Sequence, residues 1–251
     1  MQKGPAMAAP TKTESYGYGG YKGSRSPVAE AFRVLRTNLQ FAAVDKELKV
    51  ILVTSASPNE GKSTVVEYLA QAVSQTGKKV MVLDADLISP TLHRYFGIPN
   101  QQGLSNLIVG DADSTVFTCL KEYPNLSVIT TGPIPPNSSE LLGSARMKHL
   151  MDRLREEYDV VIMDTPPILP VTDAVVASSL ADGVILVVQA GKTRNGEVRH
   201  AQEVLEAAHA NLLGVVLNRA RRRVNDYYYN TRTYGASGTE PAKPEDVPAQ
   251  S

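Results

Sequence analysis

Gly61, Lys62 and Ser63 close the window "ASPNEGKS", and Thr64 comes next. A glycine that permits a tight turn, an ammonium on a flexible stem and a hydroxyl one residue later are groups that a phosphate chain and a divalent cation require. The window follows an apolar run, "VILVT" at 50–54, and opens an amphipathic stretch over about 62–76, so the loop joins a strand to the start of a helix. There, backbone N–H groups from Asn59 and Glu60 through Gly61, Lys62, Ser63 and Thr64 would surround the phosphates of ATP. Lys62 would contact the β and γ phosphoryl oxygens, and Ser63 would help to hold Mg²⁺. Thr64 adds a hydroxyl near the α phosphate. Two positions depart from the general Walker A pattern: Ala56 stands at the first glycine position and Asn59 where glycine would be comfortable. Asn tolerates positive φ better than most residues, so the turn can form.

The acidic residues that such a loop needs end two other apolar runs, "VMVLDAD" with Asp84 and Asp86 and "VVIMD" with Asp164. Isolated acidic residues after strands are often caps and turns. Three of them ending two strands beside a Walker A loop point to cation and phosphoryl chemistry instead. Asp164 suits a Walker B carboxylate that reaches Mg²⁺ directly or through water. Residues two apart on a strand face the same way, which predicts that Asp84 and Asp86 both face the phosphates.

Positioning these groups requires a sheet. Runs at 50–54, 79–83, 126–130, 159–163, 183–188 and 213–217 consist of Val, Ile and Leu with little polar alternation, as in strands covered on both faces. Helix-like segments near 62–76, 139–157, 172–180 and 194–210 separate most of them, which predicts an α/β fold with a doubly wound, mainly parallel sheet and a ligand at the carboxyl ends of its strands. A further helix is expected from Pro27 to about Ala42, with Val28, Phe32, Leu35 and Leu39 forming the stripe that docks on the domain. Glu30, Arg33 and Arg36 project from another face, either as a solvated charged surface or as a contact with a partner.

Residues 1–26 and 224–251 are rich in small and polar residues without periodicity and read as a flexible arm and tail around one domain over 27–223. With 26 basic and 26 acidic residues the formal net charge is zero, so nothing in the global balance draws the chain to nucleic acid or lipid. No apolar run reaches membrane-spanning or signal-peptide length, which suggests a cytoplasmic protein whose membrane association would come through a partner or through charge. The single cysteine, Cys119, has no metal-ligand spacing around it and is expected to be a buried core thiol.

Taken in order, "EAFRVLRTNLQF", "SASPNEGKST", "VLDADL", "VVIMDTPP", "VTDA", "GVVLN" and a C-terminal tyrosine cluster resemble the bacterial tyrosine kinases of capsule and exopolysaccharide assembly. The resemblance runs from about Ser26 to Tyr234. It implies a P-loop NTPase fold like that of MinD and ParA, with Walker A at Lys62 and Ser63, Walker A′ at Asp84 and Asp86, and Walker B at Asp164. It places Asp84 near Mg²⁺ and the attacking hydroxyl and gives Asp86 a role in organising metal or substrate. Walker A′ in this family usually continues with a basic residue, where this chain has Ile88 and Ser89. The resemblance also implies that Glu30, Arg33 and Arg36 lie between protomers of a ring homo-oligomer, an octamer in one form. Its further partners would be a transmembrane adaptor or polysaccharide co-polymerase at the inner face of the plasma membrane and a tyrosine phosphatase.

Seven of the 11 tyrosines, Tyr16, Tyr18, Tyr21, Tyr227, Tyr228, Tyr229 and Tyr234, lie in the two low-complexity ends. Aromatic side chains normally act by burial, so their concentration there needs another explanation. Phosphate acceptors fit, because a tail can carry its hydroxyls into a neighbour's site at high effective concentration. The resemblance implies such autophosphorylation on Tyr227, Tyr228, Tyr229 and Tyr234. Arg219, Arg221, Arg222 and Arg223, just before the cluster, are either a solvated strand exit or partners for phosphotyrosine. Two alternatives stand beside the kinase reading. One is a nucleotide-gated switch of the MinD/ParA type, whose loop begins with a second lysine where this chain has Ser57; the other is a catalytically weak nucleotide-binding scaffold of a polysaccharide export complex.

Overall fold

The computed structural model describes residues 26–42, 47–112 and 116–220. The described residues up to Arg219 form one compact unit. The unit that follows, Ala220–Ser251, lies outside the described residues apart from Ala220, and with it the whole tyrosine tail and Arg221, Arg222 and Arg223. The N-terminal arm up to residue 25 lies outside them as well.

Three apolar runs, β1 (Val50–Ser55), β2 (Val80–Asp84) and β5 (Val160–Asp164), are buried at every position. They form the middle of a seven-stranded sheet with β4 (Tyr123–Ile129), β6 (Gly183–Gln189) and β7 (Leu212–Asn218), in the order β3-β4-β2-β5-β1-β6-β7. All the pairings are parallel except that of the short edge strand β3 (Thr118–Leu120) with β4. The sheet is doubly wound and mainly parallel, as expected.

The pleat sends alternate side chains into two cores. Ile51, Val53, Val82, Ile162 and Ile185 pack on one face, with Leu69 and Val73 of α2 (Lys62–Ser74) and Leu92 and Phe96 of α3 (Leu92–Phe96). Leu52, Met81, Leu83, Met163 and Leu186 pack on the other, covered by α4 (Leu104–Val109), α6 (Ala145–Glu157), α7 (Asp173–Ser178) and α8 (Asn195–Ala207). Helix over both faces leaves no room for polar alternation, which explains the continuous apolar runs.

The first helix, α1 (Pro27–Ala42), docks on α2 by Phe32, Leu35 and Leu39, with the Phe32 and Tyr68 rings 5.2 Å apart between centroids. Val28 does not join this stripe. It is 42% exposed, and the fully buried Ala29 takes its place against Tyr68, because the docking line passes one position further along the first turn. Arg36 donates from Nη1 to the carbonyl of Ala72 at 2.8 Å, in the last turn of α2. A cation at a helix C-terminus contributes about 0.3–1 kcal/mol, so this contact pins α1 to α2.

Three elements were not anticipated: β3, α3 and α4, of 3, 5 and 6 residues, too short to show a period. The helix expected over 139–157 is two, α5 (Ser138–Leu142) and α6, parted at Gly143 and Ser144. Ser144 Oγ accepts the Met147 N–H at 3.2 Å as the N-cap of α6, a bond worth about 1 kcal/mol that starts the second helix afresh. Cys119 is exposed rather than buried. It sits on the edge strand β3 facing outward, with Sγ 3.4 Å from the carbonyl of Pro124.

Glu67, on α2 one turn beyond Ser63, is fully buried, and its Oε2 has no hydrogen-bond partner among the described residues. Burial pushes its carboxyl up from 4.5 to about 7, against a weak bond from Gln71 at 3.4 Å. The folded chain therefore holds a proton that the unfolded chain releases at lower pH, so stability falls as pH rises from about 4.5 to about 7. Replacing Glu67 with Gln is expected to flatten this decline and to raise the denaturation midpoint at pH 8, measured by urea titrations at pH 5 and pH 8. An unchanged slope would show that Glu67 ionises freely in the fold.

Candidate nucleotide-binding site

The loop after β1 turns through two left-handed residues, Asn59 at φ 64° and Gly61 at φ 95°. Asn59 thus occupies the conformation that its residue type favours. Ala56, at the first glycine position, is buried in the core, so its methyl group packs instead of obstructing the turn. Gly61 is required twice over, by its φ and by space: a Cβ there would lie 2.0 Å from Asn218 Nδ2. Asn218, at the end of β7, donates to the Glu60 carbonyl at 2.8 Å. The Glu60 side chain turns back into the loop, where Oε2 accepts the Ser57 N–H at 2.9 Å and Oε1 accepts the Thr193 hydroxyl. Glu60 therefore braces the loop with its side chain and offers a ligand only its backbone.

Gly61 is the N-cap of α2 and supplies no side-chain acceptor, so the N–H groups of the first turn point out of the helix end without a cap. Together with the positive end of the helix dipole they make a place for an anion. Lys62 is only 8% exposed, with Nζ 3.9 Å from Asp86 Oδ2. Ser63 Oγ accepts from Thr91 Oγ1 at 2.9 Å, and Thr64 Oγ1 lies 3.2 Å from the Tyr95 hydroxyl. Asn59, Gly61, Lys62, Ser63, Thr64 and Asp86 share the wall of one cavity of about 670 Å³.

Asp84 and Asp164 lie beneath, opposite each other on neighbouring strands and both fully buried. Burial drives the Asp84 carboxyl well above its usual range, the charges of Asp164 and Asp86 push it further, and N–H bonds from Leu92 and Asp86 oppose them. Burial likewise raises Asp164 to about 7; the Lys62 charge and the Ser63 hydroxyl pull it down, and the Asp86 charge adds to the rise. The influence of Ser63 is electrostatic rather than a well-aligned bond, since neither Asp164 oxygen has a hydrogen-bond partner among the described residues. A buried carboxylate without donors is costly unless a cation or a proton meets it.

The expectation that Asp84 and Asp86 face the cavity as a strand pair is corrected here. β2 ends at Asp84, and Asp86 belongs to the following turn, where its Oδ1 accepts the N–H groups of Ser89 at 2.9 Å and Ile88 at 3.4 Å. Asp86 alone reaches the cavity; Asp84 packs under the strand ends. Ile88, 42% exposed, lines the cavity at the point where the motif comparison called for a basic residue.

Glu30, Arg33 and Arg36 lie on α1, apart from the cavity wall. Glu30 Oε2 and Arg33 Nη1 form an ion pair at 2.7 Å, and Arg36 is engaged with α2. Tyr227, Tyr228, Tyr229 and Tyr234 are outside the described residues. Sequence reasoning missed Thr91, Tyr95 and Asn218 as parts of this site, and it placed Arg219 only in a basic cluster, whereas Arg219 lines the cavity with Nη1 3.1 Å from Gln189 Oε1. Only "GVVLN" carried a signal, at Asn218; Thr91 and Tyr95 enter from a helix too short to be seen.

The residues present fit a Mg²⁺-nucleotide. Among the described residues no set of three or more His, Cys, Asp or Glu gathers around a metal position. Mg²⁺ needs no such cage, because it keeps water and phosphate oxygens and takes one or two protein oxygens. Ser63 Oγ and the unpartnered oxygens of Asp164 are of that kind.

Comparison with known proteins agrees. Residues 47–247 match the ParA family model, described as NUBPL iron-transfer P-loop NTPase. The tyrosine-protein kinase YwqD of Bacillus subtilis is 41% identical over 206 residues, covering 81% of this chain and 87% of that protein. The crystal structure of the chimerical protein CapA2B2 superposes with a TM-score of 0.78 at 40% identity, covering 80% of this chain and 89% of that one. The septum site-determining protein MinD of Pyrococcus horikoshii, solved with Mg-ADP, shares the fold at a TM-score of 0.59 and 24% identity, covering 70% of this chain and 72% of its own. With kinase sequence similarity over most of its length, a ParA-like fold and a Walker A loop at the carboxyl end of β1, the chain belongs to the bacterial tyrosine-protein kinases.

Proposed function

We propose that the cavity binds Mg²⁺-ATP and transfers its γ-phosphoryl group to tyrosines of the C-terminal cluster, Tyr227, Tyr228, Tyr229 and Tyr234, of a neighbouring protomer in a ring. The observation that carries this reading is the pairing of an uncapped helix start, Lys62 included, with an Asp164 carboxylate that has no well-aligned hydrogen-bond donor among the described residues. Ser63 and Asp164 would hold Mg²⁺, with Asp84 beside Asp164 in register, and the cation would supply neutralisation of the phosphate charge. The N–H groups from Asn59 to Thr64 and the Lys62 ammonium hold the phosphates. In the transfer the acceptor phenol oxygen bonds to the γ phosphorus, the bond to the bridging oxygen breaks, and ADP departs. The phenol proton passes to the carboxylate of Asp86, the acidic side chain that faces the cavity.

Regulation of capsule or exopolysaccharide assembly is the role we assign to this chemistry. The family's partners are a transmembrane adaptor or polysaccharide co-polymerase, which would bring the chain to the inner face of the plasma membrane, and a tyrosine phosphatase that would reset the tail. Among the described residues no helix is long and apolar enough to cross a membrane. Each phosphate adds about −1.5 to −2 charge, so a modified cluster repels itself and the acidic site, which favours release from the ring. On α1 the ring contact would use Glu30 and Arg33, with Arg36 holding the helix that presents them.

Incubation of the protein with Mg²⁺ and ATP is expected to place phosphate on one or more of the four tail tyrosines, and Lys62→Met to abolish it. Mass spectrometry that finds no phosphotyrosine in the presence of an activating membrane partner would reject the transfer. Burial raises the Asp164 carboxyl to about 7, so a cation bound there would displace its proton. Affinity should therefore rise between pH 6 and pH 8, and calorimetric heats should vary with the ionisation enthalpy of the buffer. Heats independent of the buffer would place the cation away from Asp164. Finally, Glu30→Ala with Arg33→Ala should lower the assembled mass in light scattering while the far-UV spectrum stays unchanged. Arg36 is left in place because its loss would also loosen α1 from α2.

A further inference from the structure

Thr91, the N-cap of α3, and Tyr95 lie four residues apart and reach two consecutive hydroxyls of the loop helix. Thr91 Oγ1 donates to Ser63 Oγ at 2.9 Å, and the Tyr95 hydroxyl is 3.2 Å from Thr64 Oγ1. The next pair along the helix, Leu92 and Phe96, is buried in the core shared with α2. The Leu92 N–H also donates to Asp84 Oδ2 at 3.2 Å. Apolar anchors on one side and polar ties on the other fix α3 against both the loop and the second acidic motif. The buried Leu92 side chain and the bond from its N–H fix the backbone beside Thr91.

A serine hydroxyl has one proton and two acceptor lone pairs. Thr91 occupies one lone pair of Ser63. The second lone pair remains for a cation, and the proton remains for Asp164, whose oxygens lack other partners. With the Thr91 hydroxyl removed, the Ser63 side chain could turn to another staggered rotamer or bond to nearby backbone, as serines near helix ends do. We propose that Thr91 is a positioning residue of the nucleotide site, holding Ser63 in the rotamer that turns its free lone pair toward Mg²⁺. The proposal rests on the reading of the cavity as a Mg²⁺-nucleotide site. It extends that site to α3, which none of the loop and strand-end motifs contains. Loss of a residue that orients a metal-holding group typically weakens metal affinity about 10- to 100-fold.

The test is titration calorimetry of the full chain with ADP, in Mg²⁺ and in EDTA. Thr91→Val, which keeps the shape and removes the hydroxyl, is expected to bind ADP about 10- to 100-fold more weakly in Mg²⁺ and as the unaltered chain does in EDTA. Thr91→Ser, which restores the hydroxyl, should bind as the unaltered chain does in both. Any loss in Tyr95→Phe should be the same with and without Mg²⁺. Wild-type affinity of Thr91→Val in Mg²⁺, a loss equal in the two buffers, or weak binding by Thr91→Ser overturns the proposal. So does a Mg²⁺-selective loss in Tyr95→Phe, which would mean that α3 acts only by shaping the loop. Absence of ADP binding by the unaltered chain in both buffers would overturn the nucleotide reading itself, and the proposal with it.

Discussion

Two carboxylates side by side in the interior set the terms for the rest of this structure. Asp84 and Asp164 end adjacent parallel strands in register, both fully buried, and each raises the cost of ionising the other or shares a neighbour that does. Such a pair is unfavourable without a counter-charge, and a protein that needed only stability would place apolar residues there. The chain instead brings Lys62 near by and leaves Asp164 without a well-aligned donor among the described residues, so a proton or an external cation must supply the rest of the compensation.

The sheet is the device that holds the pair together. A parallel register is set by hydrogen bonds along β2 and β5, and the strands are buried on both faces, so neither can slip without moving its side chains into the wrong core. β1 runs beside β5 and delivers the loop to the same end of the sheet. Above it, the short α3 closes the wall with Thr91 and Tyr95. Rigid elements thus fix the cation side of the cavity. On the other side Asn218 holds the loop against β7, where a side chain at Gly61 would collide with it.

Much of this was legible beforehand, for reasons that can be named. Strands buried on both faces must be apolar throughout, which made β1, β2, β5 and β6 legible; β4 and β7 showed as apolar runs although both are partly exposed, and β3, three residues long, did not show. Lys62, Ser63 and the strand-end carboxylates were legible because phosphate chemistry restricts both residue type and spacing. Asp86 was expected beside Asp84 on one strand face, whereas the strand stops at Asp84 and a turn takes over. Val28 and Cys119 were misplaced because burial depends on which neighbour covers a position. Ala29 meets Tyr68 while Val28 does not, and among the described residues nothing covers the outward face of β3 at Cys119.

By itself the amino-acid order determined the fold class, the family, and which residues could carry phosphoryl chemistry, because these follow from local periodicity and from motifs contiguous in the chain. The tertiary structure decided which of those residues meet: that Asp86 and not Asp84 opens to the cavity, that Thr91 touches Ser63 across 28 positions, and that Asn218 ties down a loop 158 positions away. Contacts at such separations are set by strand order and register, which depend on the packing of the whole sheet and leave no mark on any short stretch of sequence.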